Sequence, residues 1–238
     1  MTNYGTPRAI RVFFGGLPDW QEISTRKGTD LVVSFKIDPK SVLTGRHDAA
    51  LRAWFGNAPR DVQVFWTYFH EPEDEIERGA FSADEFRRAW KHIAMLSREQ
   101  CRSNLHSTLI LMGWTVEPAS GRDFDDYYPG AAYVDVLGWD PYNAIDGSGY
   151  QSPDTIFSAP IEVSKAEKKP FAIAETGSLL MGADNGTQRA EWLRDIAVYL
   201  RAEGALFVTY YDTVSSRGND FRLTDVPSRE AWRTIVQQ

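Results

Sequence analysis

The stretch FWTYFHEPE, residues 65–73, joins an apolar, aromatic-rich run directly to an acidic end. Such a run is typical of a strand that is buried on both faces, because polar groups are then tolerated only near the strand ends. Glu71 is therefore expected to lie where the backbone leaves the core. A carboxylate in that position either caps the following helix or loop, or belongs to a catalytic site.

The same pattern, a short apolar strand followed by an amphipathic segment, recurs along the chain. The spacing of apolar side chains predicts helices that begin near Arg46, Ser82, Thr187 and Pro227. Seven strands are predicted, at Ala9–Phe14, Leu31–Ile37, Val62–Phe69, Thr108–Val116, Tyr133–Trp139, Pro170–Ala174 and Ala205–Tyr211. Alternating strands and helices predict a parallel sheet of the α/β class. Polar residues gathered after the strands favour a (β/α) barrel over an open sheet.

Composition limits the class of protein. The 238 residues are enough for one sizeable core, and residues 1–238 show no linker, so a single domain is predicted. A net charge of −7 argues against nucleic acid as a partner. No apolar run approaches the roughly 18 residues that a membrane span needs. The single cysteine excludes an internal disulfide and a multi-cysteine metal site.

Neither a metal nor a cofactor is expected from the sequence. The pair Gly15-Gly16 lacks the third glycine and the following helix of a dinucleotide-binding turn, and no two histidines are spaced as metal ligands. The N-terminal residues MTNYGTP lack the charged and apolar regions of a signal peptide. Either the protein is not exported by that route or its signal peptide has been removed, so extracellular, cytoplasmic and virion-associated locations stay open.

A barrel brings the carboxyl ends of its strands together on one face, so polar residues far apart in the chain meet there. The polar residues at the predicted strand ends are His70, Glu71, Glu117, Asp140, Glu175 and Asp212. Of these, Glu71 and Glu175 each follow an apolar run directly and each precede a chain-breaking turn. Glycoside hydrolysis needs two such carboxyl groups, one to protonate the leaving oxygen and one to attack the anomeric carbon or activate water.

Three segments together resemble glycoside hydrolase family 26. They are FHE at residues 69–71, YPG at 128–130 followed by YVDVLGWDPYN at 133–143, and KPFAIAETGS at 169–178. That family, best known for β-mannanases, belongs to a clan of retaining barrel enzymes whose catalytic glutamates follow strands four and seven. The resemblance implies a (β/α)8 barrel that cleaves a β-linked polysaccharide, mannan or a related glycan, by endo action.

Carried over position by position, the resemblance makes Glu71 the general acid/base and Glu175 the nucleophile. It implies that His70 contacts the sugar at the cleavage point and that Tyr142 donates a hydrogen bond to the nucleophile. Trp139 is expected to line the same subsite.

Other polar and aromatic residues receive simpler interpretations. Trp114 and Tyr211, aromatic residues near the ends of other predicted strands, are candidates for stacking on sugar rings. Asp140 and Asp212 are expected to be hydrogen-bonding partners within the site. The acidic residues between Glu73 and Glu77 are expected to form a solvated loop.

The strand count departs from the family pattern. Glu71 follows the third predicted strand, whereas the first catalytic glutamate of the family follows the fourth. Either residues 1–8 hold a degenerate first strand, or the chain begins at strand two. A barrel that lacks a strand exposes an edge, which a neighbouring chain, a missing segment or a loop would have to cover.

Two other functions remain open at this point. One is a non-catalytic carbohydrate-binding or structural barrel, a module of a larger surface or virion assembly. The other is a barrel lyase or isomerase that acts through Glu71 and Asp140, which would need a metal or phosphate site that the sequence does not reveal.

Overall fold

The computed structural model describes residues 4–23 and 28–237. Within these residues, seven strands pair in parallel in the order in which they occur along the chain. They are β1 (Ala9–Phe14), β2 (Asp30–Phe35), β3 (Val64–Tyr68), β4 (Leu105–Met112), β5 (Val136–Asp140), β6 (Phe171–Thr176) and β7 (Val208–Tyr210). The first and last strands contact each other, which makes the sheet a nearly closed barrel. The predicted α/β barrel fold is thus confirmed.

Helices connect these strands. Those in the described ranges are α1 (Pro39–Val42), α2 (Asp48–Asn57), α3 (Glu73–Glu77), α4 (Ala83–Arg98), α5 (Phe124–Tyr127), α6 (Pro153–Ala166), α7 (Thr187–Ala202) and α8 (Val226–Val236). Helix α4 begins with a capping box, in which Ser82 and Glu85 each accept a hydrogen bond from the other's backbone N–H. Helix α6 is absent from the predicted elements; it contains Pro160, a residue that usually interrupts a helix.

Strand alternation divides the core into two parts. The barrel interior is filled by Val32, Phe65, Ile110, Val136, Ala172, Ala174 and Phe207. A larger cluster lies between the outer face of the strands and the helices. Because successive side chains of a strand point to opposite faces, a residue's place in this alternation decides whether it faces the interior or the helices.

The barrel is open between β1 and β7, which touch but do not pair. Residues 4–8 form no strand, and residues 1–3, part of the segment considered for a degenerate first strand, lie outside the described residues. Only two strands of the described chain therefore precede β3.

The predicted end of the fourth strand was wrong. Strand β4 ends at Met112, and Gly113–Val116 form a turn of 3₁₀ helix instead of continuing the strand. A Cβ atom added to Gly113 would lie 2.5 Å from the Cβ of Pro141, so the chain passes Pro141 at a distance that only glycine allows. The largely apolar sequence of residues 111–116 does not predict this turn.

Candidate active site

Glu71 and Glu175 lie at the carboxyl ends of β3 and β6, on the face where polar strand-end residues were expected to gather. Two cavities, each of about 820 Å³, open there, and Glu71, Glu175 and Tyr211 line both of them. The two glutamates therefore stand where the cavities meet. Together the cavities form one cleft, which we call the strand-end cleft.

An unusual backbone conformation directs Glu71 into the cleft. Phe69 and Glu71 have φ angles of 53° and 48°, in the left-handed region that non-glycine residues seldom adopt. The backbone N–H of Glu71 donates to the carbonyl oxygen of Ile110 on the neighbouring strand at 3.0 Å. Such strain persists only where the surrounding structure enforces it, and it is concentrated at functional sites.

Glu175 is directed by a shift in strand register. Ala172 and Ala174 of β6 point into the barrel, and strict alternation would send Glu175 outward, towards the helices. The pairing of β6 with β7 shifts between Ile173 and Thr176. Glu175 falls within this irregularity and lines the cleft, which is how irregular strands commonly re-aim a side chain beside a site.

Burial and charge favour the protonated form of Glu71. Burial raises its pKa to about 7, and the negative charge of Glu175 acts in the same direction. Arg11 and Lys36 oppose this shift with weaker effects. A carboxylic acid with a pKa near neutrality can hold a proton at the pH where it has to donate one.

Glu175 lies among groups that stabilise its ionised form. The hydroxyl of Tyr142 donates a hydrogen bond to its Oε1, and Arg11 Nη1 lies 3.4 Å from its Oε2. Burial raises the pKa of Glu175, and the Arg11 charge and the Tyr142 hydrogen bond act in the opposite direction. The contact between Tyr142 and Glu175 is the one that the family resemblance implied.

Arg11 is the site residue that sequence reasoning missed. Its Nη1 donates to Asp140 Oδ1 at 2.7 Å and to the carbonyl oxygen of Ala174 at 2.8 Å, and its side chain is only 3% exposed. One guanidinium thus contacts two carboxyl groups, the buried Asp140 and the partly exposed Glu175. A lone charged residue within the otherwise apolar run Ala9–Phe14 was the available signal, since a buried charge requires a partner.

His70 faces the first cavity beside Phe13. The ring of Phe13 meets His70 edge-on at 5.2 Å between centroids, and both residues line this cavity. Burial, together with the positive charges of Arg11 and Lys36, lowers the pKa of His70 to about 2, so its ring is neutral. Its buried Nδ1 has no hydrogen-bonding partner among the described residues. Phe13, which is 44% exposed, was not predicted to take part in the site.

The two candidates for sugar stacking both lie on the cleft. Tyr211 packs edge-on against the ring of Tyr142, with centroids 6.2 Å apart. Trp114 lines the second cavity and is 52% exposed. It reaches the cleft from the 3₁₀ turn after β4 instead of from a strand end.

Trp139 does not line the cleft, so the expectation for this residue was wrong. Its side chain is fully buried in the outer cluster, and its indole N–H donates to Ser164 of α6 at 2.9 Å. The cause is strand alternation: Val136 and Asp140 of β5 face the interior, and Trp139 must then face the helices.

The acidic segment after Glu71 is also different from the solvated loop that was expected. Residues 73–77 form α3, and Glu73 at its start is completely buried. Asp212 accepts hydrogen bonds from the Tyr4 hydroxyl and from the backbone N–H of Leu223, both at 2.7 Å. It is a hydrogen-bonding partner, as predicted. Glu117 lines the second cavity.

Two other kinds of feature are absent from the described ranges. Residues 4–23 and 28–237 contain no group of three or more His, Cys, Asp or Glu side chains that could hold a metal ion. Within the same ranges, no helix has the length and apolar character that crossing a membrane requires.

Comparison with known proteins matches this arrangement to one family. The model of glycosyl hydrolase family 26 matches residues 57–187, which is more than half of the 238-residue chain and includes Glu71, Tyr142 and Glu175. The chain belongs to glycosyl hydrolase family 26. The resemblance noted in the sequence is confirmed.

A curated relative matches a short segment of the chain, and two solved structures share its fold. A mannan endo-1,4-beta-mannosidase of Bacillus subtilis is 43% identical over 67 residues, which are 27% of this chain and only 16% of that protein's length. A family 26 β-mannanase from Bacteroides ovatus superposes with a TM-score of 0.67 at 16% identity, covering 100% of this chain and 81% of the other. An endo-β-1,3-glucanase of family 128 from Amycolatopsis mediterranei gives 0.63 at 18% identity, covering 98% and 92%.

Proposed function

We propose that this family 26 chain is a retaining glycoside hydrolase, with Glu71 as general acid/base and Glu175 as nucleophile. The observation that supports this most strongly is that two glutamates share one cleft in opposite surroundings. Glu71 has its pKa raised to about 7 by burial and by the charge of Glu175. Glu175 receives a hydrogen bond from Tyr142 and lies beside Arg11. Burial raises the pKa of both carboxyl groups, and at Glu175 the Arg11 charge and the Tyr142 hydrogen bond counteract that rise. Surroundings that differ in this way are how a pair of carboxyl groups divides the roles of acid and nucleophile.

The proposed reaction has two steps. In the first, the Glu175 carboxylate attacks the anomeric carbon while Glu71 gives its proton to the departing glycosidic oxygen, and a glycosyl-enzyme ester forms. In the second, the ionised Glu71 takes a proton from water, whose oxygen attacks the anomeric carbon and releases Glu175. His70, which is neutral and lines the first cavity, is placed to contact the sugar at the cleavage point.

The shape of the cleft supports endo action. A cavity of about 820 Å³ extends on each side of the two glutamates. Sugar units can therefore bind on both sides of the bond that is cleaved. Tyr211 and the half-exposed Trp114 offer aromatic faces for stacking on sugar rings.

We propose a β-linked polysaccharide of the mannan type as substrate, because the Bacillus subtilis relative is named a mannan endo-1,4-beta-mannosidase. The family 128 neighbour was solved with laminaripentaose, so a β-1,3-glucan is the natural competitor in any test. A panel of β-mannan, β-1,4-glucan and β-1,3-glucan, assayed for new reducing ends, would separate these substrates.

Two variants and one product analysis test the assignment. Glu71→Gln and Glu175→Gln should each lower kcat/KM on the best substrate by about 100-fold or more, since general acid catalysis alone contributes about 10²–10⁴-fold. Both variants should keep the wild-type melting temperature. NMR of the first product should show the same anomeric configuration as the substrate.

Three outcomes would contradict the proposal. Either variant could keep most of its turnover, or the product could show inverted configuration. Glycan could also bind without any product over a long incubation, which would favour the non-catalytic carbohydrate-binding module.

A further inference from the structure

Glu73, two residues after Glu71, is completely buried at the start of α3. Its Oε1 accepts a hydrogen bond from the backbone N–H of Met112 at 2.8 Å and another from the hydroxyl of Thr115 at 2.6 Å. Its Oε2 is buried and has no hydrogen-bonding partner among the described residues. Burying a carboxyl group is costly, so a residue placed in this way needs a reason.

The contacts of Glu73 extend the sheet beyond the end of β3. Regular pairing between β3 and β4 stops at Trp66 and Ser107. Further along, the Glu71 N–H donates to the carbonyl oxygen of Ile110, and the Glu73 carboxylate accepts from the N–H of Met112. The spacing of two residues is the same on both segments. A side-chain oxygen thus takes the place that a backbone carbonyl would hold in the ladder.

This extension encloses the strained part of the loop. Phe69 and Glu71 have positive φ angles, and such residues keep that conformation only when contacts on both sides fix them. Before Phe69 the chain is held by β3, and after Glu71 it is held by Glu73. Met112 and Thr115, the two donors, flank Trp114 and so tie the acid/base loop to the turn that carries this tryptophan.

One positive charge, that of Arg122, acts on Glu73, and acidic residues of α3 pair with this arginine. Arg122 lies nearby, with its Nη1 3.5 Å from Thr115 Oγ1, its Nε 2.6 Å from Glu77 and its Nη2 3.1 Å from Asp74. Burial raises the pKa of Glu73 to about 7, whereas the hydrogen bonds from Thr115 and Met112 and the charge of Arg122 act to lower it. Glu71, on the same loop, has its own pKa raised by the charge of Glu73.

We propose that Glu73 is a positioning residue that holds the Glu71 carboxyl group at the place where it can protonate the leaving oxygen. This inference rests on the proposed function, since the position of Glu71 matters to turnover only if Glu71 delivers the proton. Glu73 itself does not line either cavity of the cleft.

The test compares two substrates that differ in their need for an acid. When a polysaccharide is cleaved, the leaving group is a sugar oxygen, which is a poor leaving group unless an acid protonates it. A dinitrophenyl glycoside of the same sugar releases a stable phenolate, so its cleavage depends little on an acid. Glu73→Leu removes the acceptor oxygen at similar volume, and Glu73→Gln keeps it. Glu77→Leu is the matched control, because Glu77 lies on the same helix, is half exposed and bonds Arg122.

We expect Glu73→Leu to lower kcat/KM on the polysaccharide about tenfold or more, because small displacements of a catalytic group are costly. On the dinitrophenyl glycoside the same variant should lose less than about threefold. Glu73→Gln and Glu77→Leu should stay close to wild type on both substrates. The split between substrates is an effect that a merely structural role would not produce.

Two results would overturn the inference: unchanged polysaccharide turnover in Glu73→Leu, or an equal loss on both substrates. If Glu73→Leu does not fold, Thr115→Val, which removes one hydrogen-bond donor to the Glu73 carboxylate, replaces it in the test. It should then show the same larger loss of kcat/KM on the polysaccharide than on the dinitrophenyl glycoside. Glu71→Gln is measured in parallel. If it keeps its turnover, the proposed function fails, whereas a dead Glu71→Gln with an unaffected Glu73→Leu defeats only the role of Glu73.

Discussion

Arg11 gives the strand-end cleft its electrostatic order. The buried groups Arg11, Asp140 and Glu175 carry one positive and two negative charges when all are ionised. Burial raises the pKa of all three carboxyl groups in the cleft, and for Glu71 burial and the charge of Glu175 together raise it to about 7. Arg11 and the Tyr142 hydroxyl both act against the rise that burial causes in the pKa of Glu175, which under the proposed function favours an ionised Glu175 beside a protonated Glu71.

This order predicts the pH dependence of kcat/KM. Activity requires protonated Glu71, so it should fall as the pH rises through about 7, where Glu71 loses its proton. Activity also requires ionised Glu175, so it should fall at acid pH as Glu175 gains one. The hydrogen bond from Tyr142 lowers the pKa of Glu175. Removing it in Tyr142→Phe should therefore move the acid limb to higher pH and leave the alkaline limb in place.

The control for this profile is Tyr211→Phe, which alters a second tyrosine of the cleft that packs against Tyr142. Because phenylalanine keeps the ring that is proposed to stack on sugar, this variant should leave both limbs in place. If kcat/KM of Tyr142→Phe falls at the same acid pH as that of the wild type, Tyr142 does not stabilise the Glu175 carboxylate.

Individual residues were predictable to different degrees. Glu71 and Glu175 could be found because each follows an apolar run, and Tyr142 because its segment matches a family pattern. Trp139 was misplaced because strand alternation was not applied: once Asp140 faces the interior, Trp139 cannot. Arg11 could have been predicted to have a charged partner, because it is the one charged residue of an apolar strand. The burial of Glu73 could not be predicted, since the surrounding sequence has the composition of an exposed acidic segment.

At the scale of elements, both catalytic candidates depend on departures from regular strand geometry. Glu71 itself has a positive φ angle, and Glu175 lies in a shift of register. The apolar letters predicted all seven strands, with Ala9–Phe14 matching in full. They did not predict these irregularities, because both arise from contacts between strands that are distant in sequence.

The turn after β4 offers a prediction for this scale. Gly113→Ala would place a Cβ atom 2.5 Å from the Cβ and 2.8 Å from the Cα of Pro141. Because Pro141 is fixed by the end of β5, we expect a loss of about 1–3 kcal/mol in the free energy of unfolding, measured by urea denaturation. The displaced turn carries Trp114, so KM for the polysaccharide should rise as well.

Gly16→Ala is the matched control for this substitution, because a Cβ there would meet nothing within 4 Å. Its free energy of unfolding should stay close to wild type. A Gly113→Ala variant as stable as wild type would mean that the β4 and β5 ends can separate without cost, and the tight approach to Pro141 would not explain why β4 ends at Met112.

At the scale of the whole molecule, the open position of the barrel and the proposed active site are continuous. The first cavity is lined by Arg11 and Phe13 of β1, by Val208 and Tyr210 of β7 and by Trp232 of α8. The gap between β1 and β7 therefore opens into the cleft beside Glu71 and Glu175. Counting strands in the sequence indicated that the barrel is one strand short before Glu71 in the chain. That a neighbouring chain covers the gap stays a prediction.

Hydrogen exchange can test the state of this edge. Backbone N–H groups on an unpaired strand edge are solvated and open easily, whereas those of central strands exchange only in rarer openings. Peptides that cover residues 9–14 and 208–210 should therefore exchange faster than peptides that cover β3 and β4. If a second copy of the chain is the predicted neighbour, protection of these two peptides should increase with protein concentration. Slow exchange at every concentration would contradict an open edge. Fast exchange that does not change with concentration would leave the gap open to the cleft and rule out a second copy as its cover.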